Sequence, residues 1–171
     1  MEKINFSRLL ILISLCIPIT IYIIGDFLGT GIQFILFRFQ DTHLGTSIIP
    51  INQEFGYVIN GIIQKQSAIS IIVWILGFML ILASLIVTLN NQFSVYKKMK
   101  TAGIFICTSS VLFLISIFIQ YGPLFHGPAG TAIPIGLPVL FVIGGWIYME
   151  GHKEEAGDEE EEAQDIDDES D

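Results

Sequence analysis

The chain has 171 residues, of which 52% are hydrophobic and 15% are charged, and its formal net charge is −9. Soluble domains carry about a quarter charged residues, so this composition argues against an ordinary soluble domain. Thirteen of the 17 acidic residues lie from Glu150 onward, and residues 1–149 carry a net charge of +3. The acidity therefore belongs to a tail, and we expect no nucleic-acid partner.

Four apolar segments predict transmembrane helices, at residues 9–28, 68–89, 102–121 and 133–149. A helix needs about 20 apolar residues, at about 1.5 Å of rise each, to cross about 30 Å of hydrocarbon. The segments are hydrophobic on all sides, which disfavours the alternative of a soluble α-helical bundle with polar outer faces. The predicted fold is an all-α integral membrane protein with four transmembrane helices in a bundle, formed by residues 1–149.

The first segment contains Pro18, which we expect to kink a transmembrane helix, because neighbouring groups in a bundle can satisfy the freed carbonyl. A cleaved signal peptide is the alternative, but the apolar stretch is longer than usual and no A-x-A-like site follows it. We therefore expect an uncleaved anchor helix whose charged residue, Asp26, lies near the outer membrane surface.

The segment at residues 29–67 is too apolar for a flexible loop, and we expect a structured outer segment between helices one and two. In "FILFRFQ" the alternation does not separate polar from apolar residues. A short interfacial helix with aromatic anchors is therefore favoured over an exposed strand. A second short helix is predicted within "INQEFGYVINGII", and the segment as a whole would cover the outer end of the bundle.

Small residues on the third and fourth helices predict close helix packing. The stripe of Gly103, Cys107 and Ser110 follows helical spacing, and Gly136 and Gly144 offer matching surfaces on the fourth helix. Small residues let helices approach closely in lipid, and hydroxyl groups can bond across the contact. Packing within the bundle is the favoured interpretation, and a partner subunit is the alternative.

The third helix is expected to end at Gly122-Pro123, because the residue before a proline disfavours α geometry. The turn-rich "HGPAGT" then leads inward, with Pro134 in the first turn of the fourth helix and Pro138 kinking it. A re-entrant pore loop is the alternative, but it would leave the fourth helix too short to cross.

The tail at residues 150–171 lacks aromatic residues and carries dense like charge, so we predict a disordered cytoplasmic segment. Lys and Arg are enriched in short cytoplasmic flanks, and six of the eight bases fall on one predicted side: Lys3, Arg8, Lys97, Lys98, Lys100 and Lys153. The prediction is a multi-pass protein of the cell membrane with both termini in the cytoplasm.

No sequence motif indicates catalysis or cofactor binding. The candidate site is an outer polar cluster of Asp26, Arg38, Asp41, His43, Glu54 and His126. Histidines and carboxylates that converge can bind zinc or copper, but nothing in their spacing requires convergence, so the metal stays unknown. Arg38 is equally suited to a structural ion pair with Asp26 or Glu54.

These features predict a small membrane protein without a catalytic site of its own, acting as an accessory or assembly subunit of a membrane complex. Its partners would be the lipid bilayer and another membrane protein. A small transporter or channel is the alternative, and a metal-dependent membrane enzyme that uses the outer histidines and carboxylates is a weaker one.

Overall fold

A computed structural model describes residues 2–25, 28–90, 94–127 and 129–168. In chain order the elements are α1 (Glu2–Ser14), β1 (Pro18–Ile24), β2 (Gly29–Phe34), β3 (Phe37–Thr42), β4 (Gly45–Pro50), α2 (Ile51–Ile59), α3 (Lys65–Leu89), α4 (Val95–Tyr121), β5 (His126–Gly127), β6 (Gly130–Ile133) and α5 (Leu137–Asp168). The strands form one antiparallel sheet in the order β4-β3-β2-β1-β6-β5. The predicted all-α bundle of four transmembrane helices is therefore wrong.

The predicted helix at residues 9–28 is a short helix followed by a strand. Helix α1 ends at Ser14, and Pro18 opens β1 instead of kinking a continuous helix. Proline is accepted as the first residue of a strand, and the run of Ile and Thr that follows favours extended backbone. Hydrogen bonds from β2 on one side and β6 on the other then hold β1.

The predicted interfacial helix over "FILFRFQ" is also wrong, because these residues form the end of β2, a tight turn and the start of β3. Strands β2, β3 and β4 pair in sequence, each with its neighbour. The short helix predicted in "INQEFGYVINGII" is present as α2. The outer segment is thus three strands and one helix.

Helices α3 and α4 contain the predicted segments 68–89 and 102–121 and pack closely along their length. At Gly77 an added Cβ would lie 2.8 Å from the Phe113 ring, so the glycine admits that ring. Ser109 donates a hydrogen bond to the Gly77 carbonyl over 2.7 Å. Within the described part of the chain, α3 and α4 are the two helices long and apolar enough to cross a membrane, which is compatible with membrane association.

The segment predicted as a fourth transmembrane helix is also divided between strand and helix. Strand β6 ends at Ile133, and α5 begins only at Leu137, so Pro134 precedes the helix and Pro138 lies in its first turn. Helix α5 continues to Asp168, across residues for which the composition predicts disorder. The disorder of the tail stays a prediction.

The sheet lies against one end of the helices. The Trp74 indole N–H donates to the Ile35 carbonyl over 3.2 Å, which joins the turn between β2 and β3 to α3. Near the opposite end of α3, the Arg8 guanidinium donates from Nε to the Thr88 carbonyl over 3.0 Å. Carbonyls at the end of a helix lack helical partners, so a basic donor stabilises them.

Candidate functional site

The most buried pair of opposite charges joins β3 to α2. Arg38 Nε lies 3.0 Å from Glu54 Oε1, and the side chains are 19% and 7% exposed. The Arg38 N–H is not aligned for a hydrogen bond to that oxygen, so the contact is an ion pair that acts through charge. A buried charge is costly unless it is paired, and each of these residues satisfies that requirement for the other.

The pair lies beneath the inner face of the sheet, which carries an unusual polar row. Thr20, Gln33 and Arg38 are successive cross-strand partners on β1, β2 and β3, so their side chains share one face. Thr20 is fully buried and Gln33 is 8% exposed. The sheet therefore directs polar side chains inward.

Two tyrosines complete the surroundings of the ion pair. The Arg38 guanidinium lies 5.4 Å from the centre of the Tyr22 ring, within range of a cation–π interaction. The Tyr121 ring lies 6.5 Å from that of Tyr22. At Gly31, directly opposite Tyr22, an added Cβ would lie 2.4 Å from the tyrosine ring. Glycine at that position makes room for the ring over Arg38.

Burial sets the electrostatics of this group. Desolvation raises the pKa of the Glu54 carboxyl above its ordinary range, and the nearby Arg38 guanidinium opposes that rise. Burial and the Arg38 guanidinium therefore act in opposite directions on the pKa of the Glu54 carboxyl. The Tyr22 hydroxyl donates a 3.3 Å hydrogen bond to the Phe39 carbonyl.

The remaining members of the predicted polar cluster lie elsewhere. Asp41 and His43 line an open depression at the far end of β2 and β3, and His43 Nδ1 lies 3.2 Å from the Leu28 carbonyl oxygen. His126 Nδ1 lies 2.7 Å from Thr131 Oγ1. Asp26 lies outside the described residues.

The histidines and acids of the predicted polar cluster that the structure describes do not converge on one point. Strand order puts Asp41 and His126 at opposite sides of the sheet, four strand spacings apart, which is about 19 Å at about 4.8 Å each. Among the residues that the structure describes, no group of three or more His, Cys, Asp or Glu side chains could hold a metal ion.

The predicted packing residues divide into two sets. An added Cβ at Gly103 would lie 2.7 Å from the Gly144 carbonyl oxygen, and one at Gly144 would lie 2.7 Å from Cys107 Sγ, so these three form the contact between α4 and α5. Ser110 instead donates to the Ile106 carbonyl within α4. Gly136 precedes α5 and donates its N–H to the Ile19 carbonyl.

An apolar groove runs along the outside of the contact between α4 and α5. Its volume is about 250 Å³, and an added Cβ at Gly145 would meet no atom within 4 Å. Its lining consists of Gly103, Ile104, Cys107, Thr108, Gly145 and Tyr148. The small residues thus pack α4 on α5 and also leave a channel on the surface.

Tyr22 and Tyr121 are the neighbours of the ion pair that the sequence reasoning missed. The sequence offers one signal for Tyr22, since "GTGIQF" carries glycines two residues apart, on one face of a strand, where a bulky neighbour can fit. Compared with known proteins, the chain matches no family model and no curated sequence.

Proposed function

We propose that this chain is a multi-pass membrane protein that acts as an accessory or assembly subunit and receives a transmembrane helix of its partner in the groove between α4 and α5. The observation that carries the membrane part is the exposure of apolar side chains. Large apolar side chains face outward on α3 and α4, while the Arg38–Glu54 pair faces inward.

The exposure of α3 and α4 separates this interpretation from a soluble core. Only 33% of the most apolar stretch of α3 and 44% of that of α4 is buried inside the protein. Leu76, Met79 and Ile86 on α3 are 53%, 53% and 65% exposed. Water would make such a surface unfavourable by about 25 cal/mol per Å² of apolar area, and a bilayer removes that cost.

The proposed topology has two crossings, helices α3 and α4. An even number of crossings leaves both termini on one side, and the distribution of Lys and Arg favours the cytoplasm. The cell membrane is the proposed location.

The groove supports a helix as the docking partner. In lipid, helices associate through close backbone approach at small residues, not through the hydrophobic effect. Gly145 has open space above it, and Thr108, whose hydroxyl bonds back to Ile104, adds a polar atom at the rim. A transmembrane helix with a small-residue face fits such a channel.

Photocrosslinking in native membranes tests the docking proposal. A photoreactive residue at position 145 should give one discrete protein adduct, whereas the same residue at position 86, on exposed α3, should not. In the protein without the photoreactive residue, Gly145→Leu should abolish the fixed stoichiometry of the complex in native mass spectrometry, with a nearly unchanged melting temperature because an added Cβ meets no atom within 4 Å. Ile86→Phe is the matched control for added bulk. No adduct at 145, or one that contains only a second copy of this chain, would contradict the proposal.

One observation favours a small transporter as the second candidate. Ionisable groups buried at membrane depth often mark ion pathways, and the Arg38–Glu54 pair has two tyrosines beside it. Purified protein in liposomes should then move an ion or solute without any partner, and Glu54→Gln should stop it. Impermeable proteoliposomes would leave the subunit proposal as the better one.

A further inference from the structure

An apolar row crosses the outward face of the sheet. Side chains of five strands are aligned by the register of the sheet: Ile48, Phe39, Ile32, Ile21 and Ile133. Ile48 and Ile133 are 65% and 54% exposed, and Phe39 and Ile21 are each 37% exposed. The opposite face buries Tyr22 and Ala132, so the outward orientation of the row is unambiguous.

The next row toward the far end of the sheet is mostly polar. Thr46, Asp41, Thr30 and Thr131 surround Ile23 there. Successive residues on one face of a strand are two positions apart, or about 6.6 Å. The outward face therefore changes from apolar to polar within one step along the strands.

The position of the change from apolar to polar residues, relative to the membrane boundary, can be estimated from α3. The turn between β2 and β3 is joined to α3 at Trp74, which is six residues, or about 9 Å, along from Ala68, where the apolar stretch begins. The apolar row starts three residues beyond that turn, at Ile32, which is at most about 10 Å away along the strand. The row therefore lies at or inside the hydrocarbon boundary, and the polar row lies up to about 6.6 Å further out.

Helix α2 extends the same surface. Its charged residue, Glu54, is 5% exposed and faces inward, whereas Phe55 and Ile59 are 44% and 68% exposed. A mostly apolar groove between α2 and α3, with Phe55, Phe78 and Met79 in its lining, connects this face to the exposed side of α3. The apolar surface is thus continuous from α3 across α2.

We infer that the outward face of the sheet and α2 is inserted into the outer leaflet and is covered by lipid acyl chains. This inference rests on the proposed membrane location. Backbone groups in hydrocarbon must be hydrogen-bonded, and β1, β2 and β3, which carry the middle of the row, are each paired on both sides. The polar change at the depth of the boundary fits lipid better than a protein partner.

Fluorescence quenching tests the inference in the intact protein. In a background with Cys16→Ser and Cys107→Ser, a bimane label is placed on a single cysteine at position 48, 46 or 79. The protein is reconstituted in phosphatidylcholine vesicles, with or without bromine on the acyl chains, and iodide serves as the aqueous quencher. Ile48 and Thr46 are a matched pair, because they lie on the same face of β4.

Label at position 48 should lose fluorescence in brominated lipid and resist iodide, and label at position 46 should behave in the opposite way. Equal iodide quenching at positions 48 and 46 would place the face in water and overturn the inference. Protection of position 48 from both quenchers would show a protein cover and overturn it too. Position 79, on α3, separates the two proposals, because its failure to respond to brominated lipid would overturn the membrane location itself.

Discussion

Helix α3 and strand β1 come from equally apolar sequence, yet one is helical for 25 residues and the other is extended. The sequence of α3 contains no proline, whereas β1 opens with Pro18 and continues with a run of Ile and Thr. Proline stops helix propagation, and branched residues lose less entropy in extended backbone. The comparison shows that the length of an apolar segment predicts only that it is buried in the protein or in lipid. Whether the segment is a helix or a strand depends on its prolines and on the strands with which it pairs.

The largest expected effect comes from breaking the pairing that keeps β1 extended. Gly130→Ala would place a Cβ 1.9 Å from the Ile23 carbonyl oxygen, at a residue with φ of +123°. We expect the free energy of unfolding in detergent micelles to fall by about 3 kcal/mol or more, since the clash adds to backbone strain.

Gly45→Ala is the matched control, because Gly45 has a similar φ of +119° but nothing within 4 Å of the added Cβ. It should cost only the strain, about 1 kcal/mol. Equal losses in the two variants would show that the β1–β6 contact does not limit stability.

The next effect concerns the charges beneath the sheet. Arg38→Ala leaves the Glu54 carboxyl buried without its partner, and we expect a loss of about 2 kcal/mol, between the values for surface and fully buried pairs. The double variant Arg38→Met/Glu54→Leu should recover most of it, because apolar replacements remove both desolvation costs.

Asp41→Asn, at an exposed acid, should leave the free energy of unfolding unchanged. If the double variant is less stable than Arg38→Ala, the ion pair contributes more to the free energy of unfolding than the neutralisation of each charge by the other.

A smaller effect should appear as a function of pH. Burial raises the pKa of Glu54 in the folded protein, so the folded state holds this proton more tightly than the unfolded state. This stabilisation of the folded protein is complete when the pH is below the pKa that Glu54 has in the unfolded chain. It is lost as the pH rises through the pKa that Glu54 has in the folded protein. Melting temperatures measured from mildly acidic to neutral pH should fall more in the wild type than in Glu54→Gln. If the melting temperatures of the wild type and Glu54→Gln changed in parallel with pH, the Arg38 charge would cancel the effect of burial on the pKa of Glu54.

The smallest effect is expected at the far end of α5. Lys100 Nζ lies 2.7 Å from Glu155 Oε2, and the hydrogen bond from Lys100 lowers the pKa of the Glu155 carboxyl. Truncation after Lys153 removes this ion pair, but solvent screens it, so the melting temperature should be nearly unchanged. Lys100→Ala should have the same small effect. A large drop after truncation alone would show that other acidic residues dock on the helices.

Local sequence signals located the apolar segments, but they could not decide which parts of these segments are helices and which are strands. Any window around Pro18 contains enough apolar residues for a crossing helix, and the partner that favours a strand, β6, lies over 100 residues away. Propensity is a weak guide where such distant pairing decides. The sheet could not be predicted for the same reason.

The candidate site was more accessible from the sequence than the sheet. Residues 1–149 contain four acids, and the sequence analysis named two of them, Asp26 and Glu54, as possible partners of Arg38. The structure pairs Arg38 with Glu54. The tyrosines were hidden because their approach to Arg38 depends on register. Gly31 opposite Tyr22 is the feature that a sheet prediction would have exposed.

The pairing of β1 with β6 has a consequence for biosynthesis. Ile21 is partnered with Ile133, so β1 emerges from the ribosome roughly 110 residues before its second neighbour, a delay of about 5 to 20 seconds at about 5 to 20 residues per second. During that time one edge of β1 has no strand to satisfy its backbone groups, which is unfavourable in lipid. Under the proposed membrane location, β1 would need a chaperone or translocon that shelters its free edge until the last strand is made.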